Sequence, residues 1–196
     1  MPQSPLSRYR ELVDAGSVTE DAAQLEAVRA FDALWKQLQT PNNKGLTQRL
    51  RRRPPEPVPG LYVWGSVGRG KTWLMDLFFD SLPEQGKTRI HFHRFMQRVH
   101  WYLARLGHRR DPLPRIADEW ARDGRILCLD EFFVSDIADA MLLGGLLEAL
   151  FRNGVTLVTT SNVEPGELYR DGLQRAKFLP AIDLLRRQIR AEMDPA

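Results

Sequence analysis

The most informative part of this sequence is a stretch of eight residues, which reads Gly65, Ser66, Val67, Gly68, Arg69, Gly70, Lys71 and Thr72. It matches the pattern G-x-x-x-x-G-K-[ST], in which glycines let the backbone turn tightly and approach a phosphate group without a Cβ clash. The N–H groups of such a loop point inward and attract anions, and the N-terminus of the next helix lies behind them. We call residues 65–72 the phosphate loop, because they predict binding of a nucleotide's phosphate groups.

The last two residues of the phosphate loop predict different contacts with the nucleotide. Lys71 supplies a positive charge for the β- and γ-phosphates, and the hydroxyl group of Thr72 is suited to binding Mg²⁺. An apolar stretch, residues 61–64, precedes the loop, and a predicted helix, residues 71–79, follows it. Because phosphate binding requires this strand–loop–helix context, we expect ATP and Mg²⁺ as ligands. A glycine-rich turn with an incidental lysine is the structural alternative.

Two carboxylates, Asp130 and Glu131, directly follow an apolar stretch at residues 126–129 that is predicted to be a strand. The carboxyl ends of strands in an open α/β sheet face the ligand crevice. Asp130 is therefore predicted to reach the Mg²⁺ that Thr72 binds, and Glu131 is predicted to polarise the attacking water. A strand that runs into an acidic turn is the alternative, but the phosphate loop favours the catalytic interpretation.

The next predicted strand, residues 155–160, also ends in polar residues. Asn162 is predicted to orient the attacking water beside the γ-phosphate, and the alternative is a helix N-cap before Glu164 and Pro165. Arg170 and Arg175 follow, and an arginine from a neighbouring subunit can stabilise charge on a transferring phosphoryl group. From the residues alone, each could equally be a surface arginine.

Predicted strands and helices alternate after a proline-rich stretch at residues 51–60. Such alternation predicts an α/β fold with a mostly parallel sheet and helices on both of its faces. We divide the chain into an N-terminal helical segment with its connector, residues 1–55, and a nucleotide-binding core, residues 56–196. The predicted strands are residues 61–64, 89–93, 126–130, 155–160 and 189–193.

The composition narrows the class of protein. The chain has 196 residues, enough for one domain, and its 28 basic against 25 acidic residues do not require an anionic partner. The single cysteine, Cys128, excludes a disulfide framework, and no apolar run approaches the ~20 residues that span a bilayer. We expect a cytoplasmic protein without an integral membrane segment. The arginine cluster at residues 49–53 predicts a solvated linker or, alternatively, a contact for phosphate or an acidic partner.

Three further stretches accompany the phosphate loop: His-Phe-His-Arg-Phe-Met at 91–96, Leu-Asp-Glu-Phe-Phe-Val-Ser-Asp-Ile at 129–137, and Leu-Tyr-Arg-Asp-Gly-Leu-Gln-Arg at 168–175. With them, the sequence after Gly60 resembles the ZapE family, bacterial AAA+ ATPases of cell division with mitochondrial relatives. The family usually has glycine where this chain has Ser66.

The resemblance implies an AAA+ core with the strand order 5-1-4-3-2 in an ATPase whose subunits form a ring. It supports Asn162 as the sensor and favours Arg175 over Arg170 as the arginine that acts on a neighbouring subunit. It also implies a bacterial cytoplasmic protein that acts on FtsZ polymers at the division site. The family's chains continue into a helical lid with a second nucleotide-sensing arginine, so the resemblance implies that the lid domain is absent here.

The sequence predicts that His91 and His93 lie on one face of the same strand. A zinc site would need further ligands, and Cys128 is predicted to lie on another strand, so core or polar-face histidines are the default interpretation. The resemblance makes these histidines a family feature but assigns them no role.

Four functions remain open at this point. The leading one is an ATPase that destabilises or remodels FtsZ polymers. A nucleic-acid-associated ATPase of the helicase-loader type shares the AAA+ core, although the charge balance does not favour nucleic acid as a partner. A small-molecule kinase would not need Glu131 and Asn162 together. A nucleotide-binding module with little hydrolysis would follow from a missing lid.

Overall fold

The computed structural model describes residues 3–39, 57–107 and 111–193. The helices are α1 (Pro5–Asp14), α2 (Ala22–Gln39), α3 (Lys71–Ser81), α4 (Phe92–Leu106), α5 (Leu113–Asp123), α6 (Ile137–Arg152) and α7 (Arg175–Gln188), with a 3₁₀ turn at Pro165–Glu167. The strands are β1 (Gly60–Trp64), β2 (Gly86–His91), β3 (Gly124–Asp130), β4 (Thr156–Ser161) and β5 (Ile189–Met193). No helix within these residues has the length and apolar character needed to cross a bilayer.

In the part of the chain that the structure describes, five strands form one parallel sheet in the order β2-β3-β4-β1-β5. Counted from the other edge, this order is 5-1-4-3-2, so the predicted α/β class and strand order are confirmed. The register pairs Trp64 with Ser161 and His91 with Asp130. The carboxyl ends of β1 to β4 therefore lie along one edge of the sheet, where the phosphate loop begins.

Side chains of the sheet alternate between its two faces, as the period of a strand requires. The helices α1, α2 and α3 cover one face, where they pack against Leu61, Val63, Cys128 and Val158. The helices α4 to α7 cover the other face, where they pack against Tyr62, Leu127, Leu129 and Leu157. This burial on both sides fixes the strands, and with them the polar residues at the strand ends.

The N-terminal helices pack directly on α3. The rings of Phe31 and Phe78 stack with their centroids 5.1 Å apart, and the indole N–H of Trp35 donates a 2.8 Å hydrogen bond to the carbonyl oxygen of Ser81. The predicted division near residue 55 and the arginine cluster at residues 49–53 lie outside the described residues, and both stay predictions.

The boundary between β2 and α4 differs from the predicted one. The strand ends at His91 and the helix begins at the next residue, so His93 is helical and its Nε2 atom lies 3.0 Å from the side-chain nitrogen of Gln97. The prediction that both histidines share a strand face is therefore wrong. The reason is the helical spacing of the buried residues Phe92, Phe95, Met96 and Val99.

Candidate nucleotide-binding site

The phosphate loop connects β1 to α3 and is fixed at its first residue, where the N–H of Gly65 donates a 3.2 Å hydrogen bond to the carbonyl oxygen of Ser161. Gly68 and Gly70 have φ angles of 87° and 79°, in the left-handed region that side chains with a Cβ atom rarely adopt. A Cβ atom at Gly70 would also lie 3.1 Å from the side chain of Gln24. The turn of the loop thus depends on glycine at both positions.

Lys71 begins α3 and folds back over the phosphate loop. Its Nζ atom donates hydrogen bonds of 2.8 Å and 2.7 Å to the carbonyl oxygens of Gly65 and Ser66. The ammonium group is thereby held above the loop, close to the N–H groups at the N-terminus of the helix. A phosphate group that enters the loop would meet both the charge of Lys71 and the positive end of the helix dipole.

Asp130 is the most enclosed polar residue of the site, with only 1% of its surface exposed. Its Oδ1 atom accepts hydrogen bonds from the hydroxyl groups of Thr72, at 3.2 Å, and Thr160, and its Oδ2 atom lies 3.0 Å from Nη2 of Arg89. Burial alone would raise the pKa of Asp130, but the hydrogen bonds from Thr160 and Arg89, together with the charge of Arg89, leave this pKa below its usual value. The carboxylate is therefore charged at neutral pH.

The pairing of Thr72 with Asp130 fits a Mg²⁺ site. Both supply oxygen ligands, and Mg²⁺ is commonly bound through one or two carboxylates together with substrate phosphates and water. The described residues contain no cluster of three or more His, Cys, Asp or Glu side chains that could hold a metal by themselves. The remaining ligands would thus come from the nucleotide and from water.

The side chain of Glu131 is exposed, unlike that of its buried neighbour Asp130. Its φ angle of 55° is left-handed, and its N–H donates a 3.1 Å hydrogen bond to Oγ1 of Thr160. The side chain is 75% exposed, and its Oε2 atom lies 3.8 Å from Nδ1 of His91. A left-handed residue other than glycine costs roughly 1–2 kcal/mol. The turn at Glu131 lets the Asp130 carboxylate stay buried while the Glu131 carboxylate lines an open cleft.

Asn162 lies in the same cleft as Glu131. The cleft has a volume of about 470 Å³, and its lining includes Lys71, Thr72, Glu131 and Asn162. We call it the γ-phosphate cleft. The residues around Asn162 are held in place, since the Ser161 hydroxyl donates a 2.7 Å hydrogen bond to the Phe132 carbonyl. The helix N-cap alternative is wrong, because the residue at the N-cap of the 3₁₀ turn is Glu164.

A second cavity, of about 240 Å³, lies between the phosphate loop and α2, and its lining includes Ala23, Ala27 and Trp64. Gln24 joins the helix to the loop, because its Nε2 atom donates a 3.2 Å hydrogen bond to the carbonyl oxygen of Arg69. Sequence reasoning missed this contribution of the N-terminal segment. No motif in α2 distinguishes it from an ordinary amphipathic helix.

Sequence reasoning also missed Arg89 and Asp76. Arg89 forms ion pairs with both Asp76 of α3 and Asp130 of β3. One signal was available, since a charged residue in a predicted strand needs a partner when it is buried. The sequence does not show which carboxylate supplies that partner.

The two candidate arginines lie elsewhere, and neither contributes to the lining of the γ-phosphate cleft in the described part of its own chain. Arg170 is 69% exposed, and its Nη1 atom lies 2.6 Å from Oε2 of Glu167. Arg175 is half-buried at the start of α7, where its Nη2 atom donates a 2.6 Å hydrogen bond to the carbonyl oxygen of Gly166. The structure brings Lys71 and the other predicted residues together at one site, and both arginines lie outside that site in their own chain.

Comparison with known proteins identifies the family to which this chain belongs. The model of the AFG1-like ATPase family matches residues 3–191. Cell division protein ZapE of Escherichia coli is 52% identical over 195 residues, which cover 93% of this chain and 52% of that protein. The chain thus spans about half the length of this curated relative.

Solved structures show a similar fold at low sequence identity. DnaI has a TM-score of 0.63 and 15% identity, over 91% of this chain and 85% of that one. AMPPCP-bound DnaA from Aquifex aeolicus has a TM-score of 0.61 and 14% identity, over 99% of this chain and 50% of that one. Together with the strand order, these likenesses show a P-loop fold of the AAA+ type.

Proposed function

Because the chain belongs to the AFG1-like ATPase family, we propose that it binds Mg-ATP on the phosphate loop and hydrolyses it. The observation that carries this proposal is the 3.2 Å contact between Thr72 and Asp130, next to the exposed carboxylate of Glu131. A loop that bound phosphate for structural reasons alone would not need a charged, buried carboxylate beside its hydroxyl group. That arrangement suits a nucleotide carried with a divalent cation.

In the proposed reaction, the γ-phosphoryl group is transferred to water. The water oxygen attacks the γ-phosphorus atom, the bond from phosphorus to the β–γ bridging oxygen breaks, and ADP, inorganic phosphate and a proton result. Glu131 accepts the proton of the attacking water, Asn162 orients that water, and Lys71 contacts the β- and γ-phosphates. Mg²⁺ held through Thr72 and Asp130 would supply positive charge against the phosphate oxygens.

The adenine base is proposed to occupy the cavity between the phosphate loop and α2. The small side chains of Ala23 and Ala27 leave room for a planar ring there, and Trp64 offers an aromatic neighbour. The cavity also borders Gly68 and Lys71, so one nucleotide could place its base here and its phosphates on the loop. This placement makes α2 part of the nucleotide site.

Replacement of Lys71 by alanine is expected to weaken ATP binding by about 10–100-fold, the range for losing hydrogen bonds to a charged group. The readout is an equilibrium titration of the purified chain with ATP and Mg²⁺, followed by tryptophan fluorescence or calorimetry. Trp64, which lines the proposed base cavity, supplies a fluorescence signal.

The matched control is Lys177→Ala, which removes an exposed lysine from α7 and is expected to leave ATP affinity unchanged. Equal affinity for ATP in the wild type and Lys71→Ala would contradict nucleotide binding on this loop. Thermal unfolding of both variants separates a local loss of binding from a loss of folding.

We further propose that the chain acts on FtsZ polymers in the bacterial cytoplasm, at the division site, as a ring of subunits. This proposal is supported by the 52% sequence identity between the chain and a relative named as a cell division protein. With ATP, the chain is expected to reduce the amount of sedimenting FtsZ polymer, whereas the Lys71→Ala variant is not. If the active wild-type chain leaves the amount of sedimenting polymer unchanged, FtsZ is not the target. The proposed ATP binding would not be affected by that result.

A helicase-loader function is not favoured. The likeness to DnaI is structural, at 15% identity, and the arginine cluster that motivated the idea lies outside the described residues. DNA binding that weakens steeply with added salt would revive it.

A further inference from the structure

Arg89 lies inside β2, and its guanidinium group joins two carboxylates from different elements. Its Nη2 atom is 3.0 Å from Oδ2 of Asp130 at the end of β3, and its Nη1 atom forms an ion pair with Oδ1 of Asp76 on α3. The Arg89 side chain is 23% exposed. These contacts are therefore screened less by water and salt than an ordinary surface ion pair.

Both carboxylates border the place proposed for Mg²⁺. Asp76 lines the γ-phosphate cleft together with Thr72 and Glu131. Asp130 contacts Thr72 through Oδ1 and Arg89 through Oδ2. Arg89 thus occupies Oδ2 of Asp130, while Oδ1 faces the hydroxyl groups of Thr72 and Thr160. Because guanidinium is planar and permanently charged, it fixes this orientation, and its single positive charge offsets half of the charge of the two carboxylates.

We propose that Arg89 is a positioning residue whose single positive charge stands in for part of the charge of the divalent cation while no nucleotide is bound. It orients Oδ1 of Asp130 toward Thr72, and its charge prevents Asp76 and Asp130 from binding Mg²⁺ ahead of ATP. The nucleotide would bring Mg²⁺ to Thr72 and Asp130, and its phosphates would outweigh the repulsion from Arg89. The inference rests on the proposed function only in taking Thr72 and Asp130 as the Mg²⁺ site.

The test is thermal unfolding of the purified chain without nucleotide, in Mg²⁺ or in NaCl of equal ionic strength. Arg89→Gln removes the charge but keeps a hydrogen-bond donor for Asp130. We expect about 10 mM Mg²⁺ to raise the Tm of this variant by roughly 3–6 °C, for a Kd on the order of 1 mM, and that of the wild type by less than about 1 °C.

Three further variants separate this role from that of an ordinary ion pair. Arg89→Lys keeps the positive charge and is expected to respond to Mg²⁺ as the wild type does. Asp76→Asn combined with Arg89→Gln removes one of the freed carboxylates and is expected to lose most of the Mg²⁺-dependent shift. Arg125→Gln, at an exposed position of β3, controls for the loss of any arginine from the sheet.

A Mg²⁺-dependent shift in Arg89→Gln no larger than that of the wild type would overturn the proposed role. If Arg89→Gln does not fold in EDTA, circular dichroism decides: recovery of helical signal on adding Mg²⁺ supports the proposal, and no recovery contradicts it. An ATP titration of the wild type distinguishes a failure of the role proposed for Arg89 from a failure of the proposed function. ATP binding together with an unresponsive Arg89→Gln overturns only the role of Arg89, whereas absent ATP binding overturns the proposed function.

Discussion

Replacement of Glu131 by glutamine is expected to slow ATP hydrolysis by about 10²–10⁴-fold, the range for loss of a general base. The left-handed backbone at Glu131 turns its carboxylate into the γ-phosphate cleft, while Asp130 stays buried beside Thr72. Glutamine keeps the shape of the side chain and removes its charge, so ATP affinity is expected to stay the same. Phosphate release and equilibrium ATP binding, measured on the same preparation, separate the two effects.

The control for Glu131→Gln is Glu148→Gln. Glu148 is an exposed residue of α6 whose Oε1 atom pairs with Arg152, so its replacement should leave hydrolysis at the wild-type rate. A Glu131→Gln variant that hydrolyses ATP as fast as the control would show that this carboxylate does not act on the water.

Replacement of Arg175 by alanine is expected to lower the rate of hydrolysis by about 10³–10⁵-fold, the range for an arginine that stabilises a transferring phosphoryl group. The proposed site of action is the nucleotide of a neighbouring subunit, because Arg175 is absent from the lining described for its own γ-phosphate cleft. Its hydrogen bond to Gly166 would hold the side chain at the start of α7. The measurement is phosphate release at a fixed, high protein concentration.

Arg170→Ala is the matched variant, five positions earlier in the chain. Its side chain is 69% exposed and paired with Glu167, so its loss is expected to change the rate by less than about tenfold, as for an exposed ion pair. Equal losses in the two variants, or a reduced Tm of Arg175→Ala that accounts for its inactivity, would contradict a direct role for Arg175.

Mixing two inactive variants tests whether Arg175 acts between subunits. A head-to-tail contact between one subunit carrying Arg175→Ala and a neighbour carrying Glu131→Gln would contain an intact Glu131 and an intact Arg175. Random mixing at equal amounts would restore about a quarter of the wild-type contacts. Recovery of activity on mixing supports action between subunits, and no recovery points to a role within one chain.

The residues that converge at the site could be predicted from the sequence because each follows a buried strand. Asp130 and Asn162 come at the ends of apolar or β-branched stretches, and Lys71 follows such a stretch through the phosphate loop. Parallel strands bring their carboxyl ends to one edge of the sheet. The fold class and the strand order required no side-chain detail. The alternation of elements and the family resemblance were sufficient.

The parts that could not be predicted depend on tertiary contacts or on a boundary of one or two residues. The ion pairs of Arg89 with Asp76 and Asp130 connect three elements, and the sequence around Arg89 does not identify these two partners. The place of Gln24 against the phosphate loop depends on how α2 packs on α3. His93 was misplaced because a strand pattern and a helix pattern overlap where β2 runs into α4 without a loop.

We propose that subunits of this chain hydrolyse ATP at a site built from the phosphate loop, Asp130, Glu131 and Asn162. The decisive measurement is steady-state ATP hydrolysis as a function of protein concentration, with Glu131→Gln measured beside the wild type. We expect a rate that rises faster than linearly with concentration and is lost in Glu131→Gln. Bound ATP without hydrolysis at any concentration would contradict it, and would leave the chain a nucleotide-binding module rather than an enzyme.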